Sequence, residues 1–125
     1  MNPPTVTHQQ KKIAVVKGKP RVYETTEVKA ARMKFMAALQ KHKPESPFRP
    51  PVRLVVKWLF PKGERHADGE YRITRPDTDN LLKLFKDCMA DSGFFKNDCH
   101  VASEHTEKFW AATPGIWIHV EEIQT

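Results

Sequence analysis

At 125 residues, with 39% hydrophobic and 29% charged side chains, the chain has the size and composition of one folded domain, which excludes a disordered protein and leaves little room for a second domain. No apolar run approaches the ~20 residues of a bilayer-crossing helix. Cys88 and Cys99 are too few for a disulfide scaffold and lack metal-ligand spacing. The net charge of +6 is uneven: residues 1–44 carry ten Lys/Arg against two Glu, and residues 45–125 carry eleven against thirteen Asp/Glu. A polyanion partner for the first part accounts for this, as does a basic surface that is merely solvated.

The opening MNPPTVTHQQKK has no apolar stretch after its basic residues, so no signal peptide is expected, and a reduced, cytoplasmic protein is the simplest reading. Residues 1–10, with two prolines and no periodicity, read as a mobile tail before a single domain over 11–125. Ile13–Val16 suggests a strand, followed by the basic turn Lys17-Gly18-Lys19-Pro20-Arg21. From Thr25 or Thr26, either able to cap, to about His42 the spacing predicts a helix, with Val28, Ala31, Phe35 and Leu39 on one stripe. Pro44, Pro47, Pro50 and Pro51 enforce a loop. Residues 52–60, VRLVVKWLF, form the clearest strand. The polar stretch 61–80 then predicts a functional or mobile loop.

A second helix is expected from about Asp79 to Ala90, with Leu81, Leu82, Leu84, Phe85, Cys88 and Met89 on its apolar face and Gly93 placed to end it. Strands near 99–109 and 116–123 follow, joined by Thr113-Pro114-Gly115. The order βαβαββ predicts an α+β fold, a two-layer sandwich with helices on one face of a mixed sheet.

Chemistry concentrates in Arg75-Pro76-Asp77-Thr78-Asp79-Asn80-Leu81-Leu82-Lys83. Residues two apart on extended backbone point the same way, so Asp77 and Asp79 can converge on one cation. Their oxygens suit Mg²⁺, which takes one or two carboxylates and keeps several waters. Asp98 can return to the helix start as a third ligand if helix and following strand are antiparallel neighbours. The 91–97 loop reaches at most ~23 Å, so the return is open but not forced. The plainer reading is also open: Asp79 favours any helix N-terminus, and Asp79, Lys83 and Asp87 at i, i+4, i+8 form an ordinary surface ion-pair ladder.

The run Asp77-Thr-Asp-Asn-Leu-Leu-Lys83, then Asp87, then Gly93-Phe-Phe-Lys-Asn-Asp-Cys-His-Val101 resembles the signature of the RusA family, Asp-x-Asp-Asn-Leu-x-Lys followed by Asp and a Gly-aromatic-x-Asp-Asp-x-Gln-Val turn. Lys17-Gly-Lys-Pro-Arg21 resembles the family's basic, proline-containing opening, and Lys108 falls where the family often has a lysine. Asn97 and His100 depart from the pattern, replacing an Asp and a Gln. The resemblance implies a RusA-like fold and a Holliday junction resolvase, a structure-selective endodeoxyribonuclease of recombination and repair. It also implies a homodimer on a four-way junction, essential acids at Asp77, Asp79 and Asp98, and an essential lysine at Lys83. A phage or prophage origin would fit what the family usually does.

On this reading Asp77, Asp79 and Asp98 hold one or two Mg²⁺ ions, with Mn²⁺ as a substitute, and Lys83 neutralises charge on the phosphate. Asn80 supports the ligands, and Asp87 is expected to pair with Lys83. DNA binding is assigned to Lys17, Lys19, Arg21, Arg72 and Arg75. Lys108, ~33 Å from Asp98 on an extended strand, is read as a DNA-contacting or structural residue. No membrane and no small-molecule cofactor are expected. His66, His100 and His105 lack a zinc pattern, and Trp58, Trp110 and Trp117 read as packing residues rather than base-stacking ones. Competing readings are a non-catalytic basic nucleic-acid-binding protein, another Mg²⁺-dependent phosphoryl-transfer enzyme, though without a glycine-rich loop, and an RNase H-like nuclease, whose carboxylates would sit on a central strand.

Overall fold

The computed structural model describes residues 1–5, 11–16 and 19–124, with side chains in 1–5 and from Thr25 onward. In chain order the elements are β1 (Lys11–Val16), β2 (Lys19–Glu24), α1 (Thr26–Gln40), β3 (Val52–Pro61), α2 (Thr78–Asp91), a 3₁₀ turn (Asp98–His100), β4 (Val101–Ala111) and β5 (Gly115–Glu122). The α+β class holds, with one strand more than expected. Lys19–Arg21, read as part of a turn, belongs to β2, which pairs antiparallel with β1 as a separate two-stranded sheet. Proline is tolerated in such a strand because both strands are edges. Lys17 lies outside the described residues, as do residues 6–10 of the expected tail and the side chains of Lys19 and Arg21; Pro3 is buried.

β3 is central because its alternation buries Val52, Leu54, Val56, Trp58 and Phe60 on one face. It pairs parallel with β4 and antiparallel with β5, so the chain crosses from one flank of β3 to the other through residues 112–114. Both helices cover the buried face. Phe35 of α1, Trp58 of β3 and Phe85 of α2 meet with ring centroids 4.9–5.8 Å apart, two of the pairs edge to face. Trp58 also satisfies its buried indole N–H by donating to Thr106 Oγ1 at 2.8 Å. Thr25 caps α1, its hydroxyl accepting from Val28 N at 3.3 Å. Among the described residues no helix is long and apolar enough to cross a membrane.

Candidate active site

Asp77 is the residue before the first turn of α2, with extended backbone (φ −72°, ψ 145°), and its carbonyl accepts the first helical bond, from Leu81 N at 3.1 Å. An aspartate in that position ordinarily turns its carboxylate onto the backbone N–H groups of the first turn. Asp77 makes no such bond, and among the described residues neither Asp77 nor Asp79 makes a side-chain hydrogen bond or ion pair. Both are exposed, while Pro76 beside them is buried. Two carboxylates therefore stand open at the positive end of a helix dipole, which favours their charge.

The backbone beneath them is fastened to β4. The loop expected to be functional or mobile runs antiparallel along that strand: Gly69 N donates to Trp110 O and Trp110 N to Glu70 O, each at 2.8 Å, and Arg72 N donates to Lys108 O at 3.0 Å. The Tyr71 ring stacks on Phe109, and its hydroxyl donates to Glu107 at 2.9 Å. That bond holds the Glu107 carboxyl below its ordinary range and raises the Tyr71 phenol. Arg72 lays its guanidinium over the rings of Phe60 and Trp110, 4.1 and 4.5 Å from their centroids. Lys108 turns its ammonium inward onto the loop, donating to Thr74 O and Pro76 O at 2.6 Å each. Burial pushes the Lys108 ammonium below its ordinary pKa and nearby Arg72 adds to the shift, while the Asp77 carboxylate opposes it. Burial also lowers Arg72.

Asp98 sits elsewhere. It lines a shallow recess of about 290 Å³ at the other end of α2, with Arg32, Asp87, Asp91 and Lys96. Asp79 lies eight residues before Asp87, ~12 Å along the helix axis. Among the described residues no group of three or more His, Cys, Asp or Glu side chains is placed to hold a metal ion. Thus Asp77 and Asp79 share one helix start, and Asp98 does not join them in this arrangement. The reason lies in the returning chain. Gly93 (φ +91°) reverses it, as expected, but Phe94 and Phe95 are then buried in the core, pinning the chain there. Only residues 96–98 remain to climb back, a reach of ~10 Å.

Asn97 has a local duty, its side-chain oxygen accepting from Cys99 N at 2.9 Å to start the 3₁₀ turn. A carboxylate would accept the same bond, so this departure from the family pattern leaves the turn intact. His100 lies in that turn rather than on a strand, so it does not share a strand face with Asp98. The expected Lys83–Asp87 pair does not form. Lys86 of α2 pairs instead with Glu104 of β4 at 2.8 Å. Lys83 and Arg75 are exposed, and Asn80 is half-buried next to Asp79. The tryptophans divide: Trp58 is buried in the core, Trp110 stacks on His66 with centroids 4.1 Å apart, and Trp117 is 47% exposed. An apolar cleft of about 680 Å³ between α1, Phe48 and β5 is lined by none of the candidate site residues.

From sequence, Lys108 reads as a DNA-contacting or structural residue and Arg72 as a DNA contact; their hold on the Thr74–Pro76 backbone is not foreseen. No local pattern encodes it, because Lys108 meets residues 32 and 34 positions earlier in the chain.

Known proteins resemble the chain over most of its length. Residues 2–121 match the family Endodeoxyribonuclease RusA. A crossover junction endodeoxyribonuclease, RusA, of Lactococcus phage r1t is 29% identical over 119 residues, covering 94% of this chain and 89% of that protein. The uncharacterized protein YqaN of Bacillus subtilis (strain 168) is 28% identical over 129 aligned positions, covering 87% of this chain and 90% of that one.

Proposed function

The chain belongs to the RusA family of endodeoxyribonucleases and acts on DNA as an endonuclease, and on that premise we propose that it resolves four-way junctions from a metal site built on Asp77 and Asp79. The observation that carries the reading is the uncommitted pair of carboxylates at the start of α2, where a capping bond is available and is not made. Two hard, exposed carboxylates suit Mg²⁺ or Mn²⁺, because such an ion keeps its remaining positions for water and a phosphate oxygen. When bound, the ion supplies Lewis-acid polarisation of the phosphodiester and a lowered pKa for an attacking water.

The protein's own contribution is placement and charge. Asp77 and Asp79 orient the cation against the scissile phosphate. Lys83, one turn after Asp79 on the same helical face, offsets the charge that builds on the phosphate oxygens. Asn80, next to Asp79, would support the carboxylates by hydrogen bonding once a cation is bound. Asp98, supported by the family pattern, and Asp87 beside it act from the far end of the helix. The basic first part of the chain, through Lys17, Lys19 and Arg21, together with Arg75, binds the DNA backbone, and that binding weakens steeply with salt. A homodimer presents two such sites to the two strands that must be cut.

The test is cleavage of a synthetic immobile four-way junction, with and without Mg²⁺ or Mn²⁺, beside a linear duplex. Paired symmetric nicks in the junction alone, and only with metal, are expected. Tight junction binding without nicking under either metal would overturn the reading.

A further inference from the structure

Two cations beside the carboxylates, Arg72 and Lys108, stand where a DNA contact would be expected, yet both charges are turned onto the protein's own backbone. The Lys108 ammonium has three N–H donors, and two of them grip Thr74 O and Pro76 O at 2.6 Å. Arg72 donates from Nε to Thr74 Oγ1 at 3.1 Å and from Nη2 to Arg75 O, with its guanidinium held over Phe60 and Trp110. The carbonyls of three successive residues, 74 to 76, are thus held by two cations, and the next residue is Asp77. Further along, Lys86 and Glu104 fasten the middle of α2 to the same strand.

We infer that Lys108 is a positioning residue for the DNA cleavage reaction: it clamps the Thr74–Pro76 backbone to β4, setting where Asp77 and Asp79 leave the start of α2. The inference rests on the reading that these two carboxylates hold the metal. Arg72 is the second jaw of the clamp. Without Lys108, the carbonyls of exposed Thr74 and buried Pro76 lose their charged partner, and the segment is free to relax by the ångström or so that disorders a reacting geometry. A phosphate contact by Lys108 is the competing role, and the two make opposite demands. A phosphate contact governs affinity and its salt dependence. A clamp governs the chemical step and the protection of the amides it steadies.

The experiment compares wild type, Lys108→Met and Lys108→Arg in the full-length protein. It measures junction affinity at several salt concentrations without divalent metal, the single-turnover cleavage rate at saturating protein with Mg²⁺, and hydrogen exchange of the Leu81 amide, which is bonded to Asp77 O. A clamp predicts that K108M keeps affinity within about twofold and an unchanged salt slope, loses about 100-fold in cleavage rate, and exchanges the Leu81 amide faster. K108R is then expected to restore the rate only in part, because a broad planar guanidinium does not reproduce two short bonds from one compact nitrogen. A salt slope reduced by about one contact, with affinity restored in K108R, would overturn the proposal in favour of a phosphate contact. So would an unchanged cleavage rate or unchanged exchange. Thermal unfolding is followed for each variant. If K108M does not fold, K108R carries the test, and a wild-type rate in folded K108R overturns the clamp. A wild-type protein that cuts no junction with Mg²⁺ or Mn²⁺ refutes the metal-site reading instead, whereas variants that cut as fast as an active wild type refute the clamp alone.

Discussion

The two ends of α2 carry the same side chain to opposite effect. At the start, Asp77 and Asp79 face a dipole that favours negative charge, and among the described residues their side chains make no bond, while the backbone before them is gripped by Arg72 and Lys108. At the finish, Asp87, Asp91 and Asp98 gather where the dipole disfavours negative charge. The last turn of the helix has no basic residue, so the compensating cations come from outside it, Arg32 of α1 and Lys96 of the returning loop. One end therefore has a fastened frame with uncommitted carboxylates. The other has carboxylates set among cations, one of them, Asp98, on a short turn tied by Asn97. Residue type marks both ends as acidic; what is attached to the backbone distinguishes them.

The largest expected effect falls on the first end. If Asp77 and Asp79 hold the metal as proposed, Asp79→Asn removes one of the two charges that hold it and should reduce junction cleavage by on the order of 10³-fold or more, with junction affinity unchanged in a metal-free mobility shift. Near wild-type cleavage would move the chemistry away from the helix start. Asp98→Asn probes the contrast directly, and a loss of about 100-fold is expected from its place in the family pattern. A loss as deep as that of Asp79→Asn would mean that the 96–98 turn joins the helix start once DNA is bound. An unchanged rate would confine the reaction to Asp77 and Asp79.

A change between the two ends should affect both alike. Phe85 is 2% exposed and packs edge-on against Phe35 and Trp58. Phe85→Ala should lower unfolding free energy by about 3–5 kcal/mol, read as a shift in denaturant midpoint. A much smaller loss would mean that the helix is held mainly by its termini.

The smallest effect concerns acid. The Tyr71 hydroxyl lowers the Glu107 carboxyl from its ordinary 4.5, so their bond contributes above that value and is lost as pH falls through the lower folded one. Proteolysis of the 62–77 loop should therefore quicken below about pH 4.5, and Glu107→Gln should flatten that dependence. An identical acid limb in the variant would assign the loosening to other carboxylates.

Much of this was legible in the chain because it is local. The stripe Val28, Ala31, Phe35 and Leu39 and the alternation from Val52 to Phe60 each declare a buried face through one repeat, and the structure buries those faces. The first hairpin was hidden because Lys-Gly-Lys-Pro-Arg has turn composition, while a lone two-stranded sheet accepts proline and charge on either edge. The Asp77–Asp79 pair needed only adjacency. Asp98 depended on how much chain Phe94 and Phe95 would consume on their way into the core, which spacing does not encode. Lys108 depended on the register of β4 against a loop more than thirty residues earlier, and such distant pairings leave no local trace.

The central place of β3 sets an order of assembly. Both strands that flank it come from the last quarter of the chain, and the lysine that braces the loop before Asp77 is on one of them. A chain emerging from the ribosome therefore completes α1, β3 and α2 before any partner for β3 exists, leaving an apolar strand with two open edges until residues 101–122 arrive. The carboxylates are synthesised early and the frame that aims them is finished late, so a nascent or truncated chain carries the acidic pair without the geometry to use it.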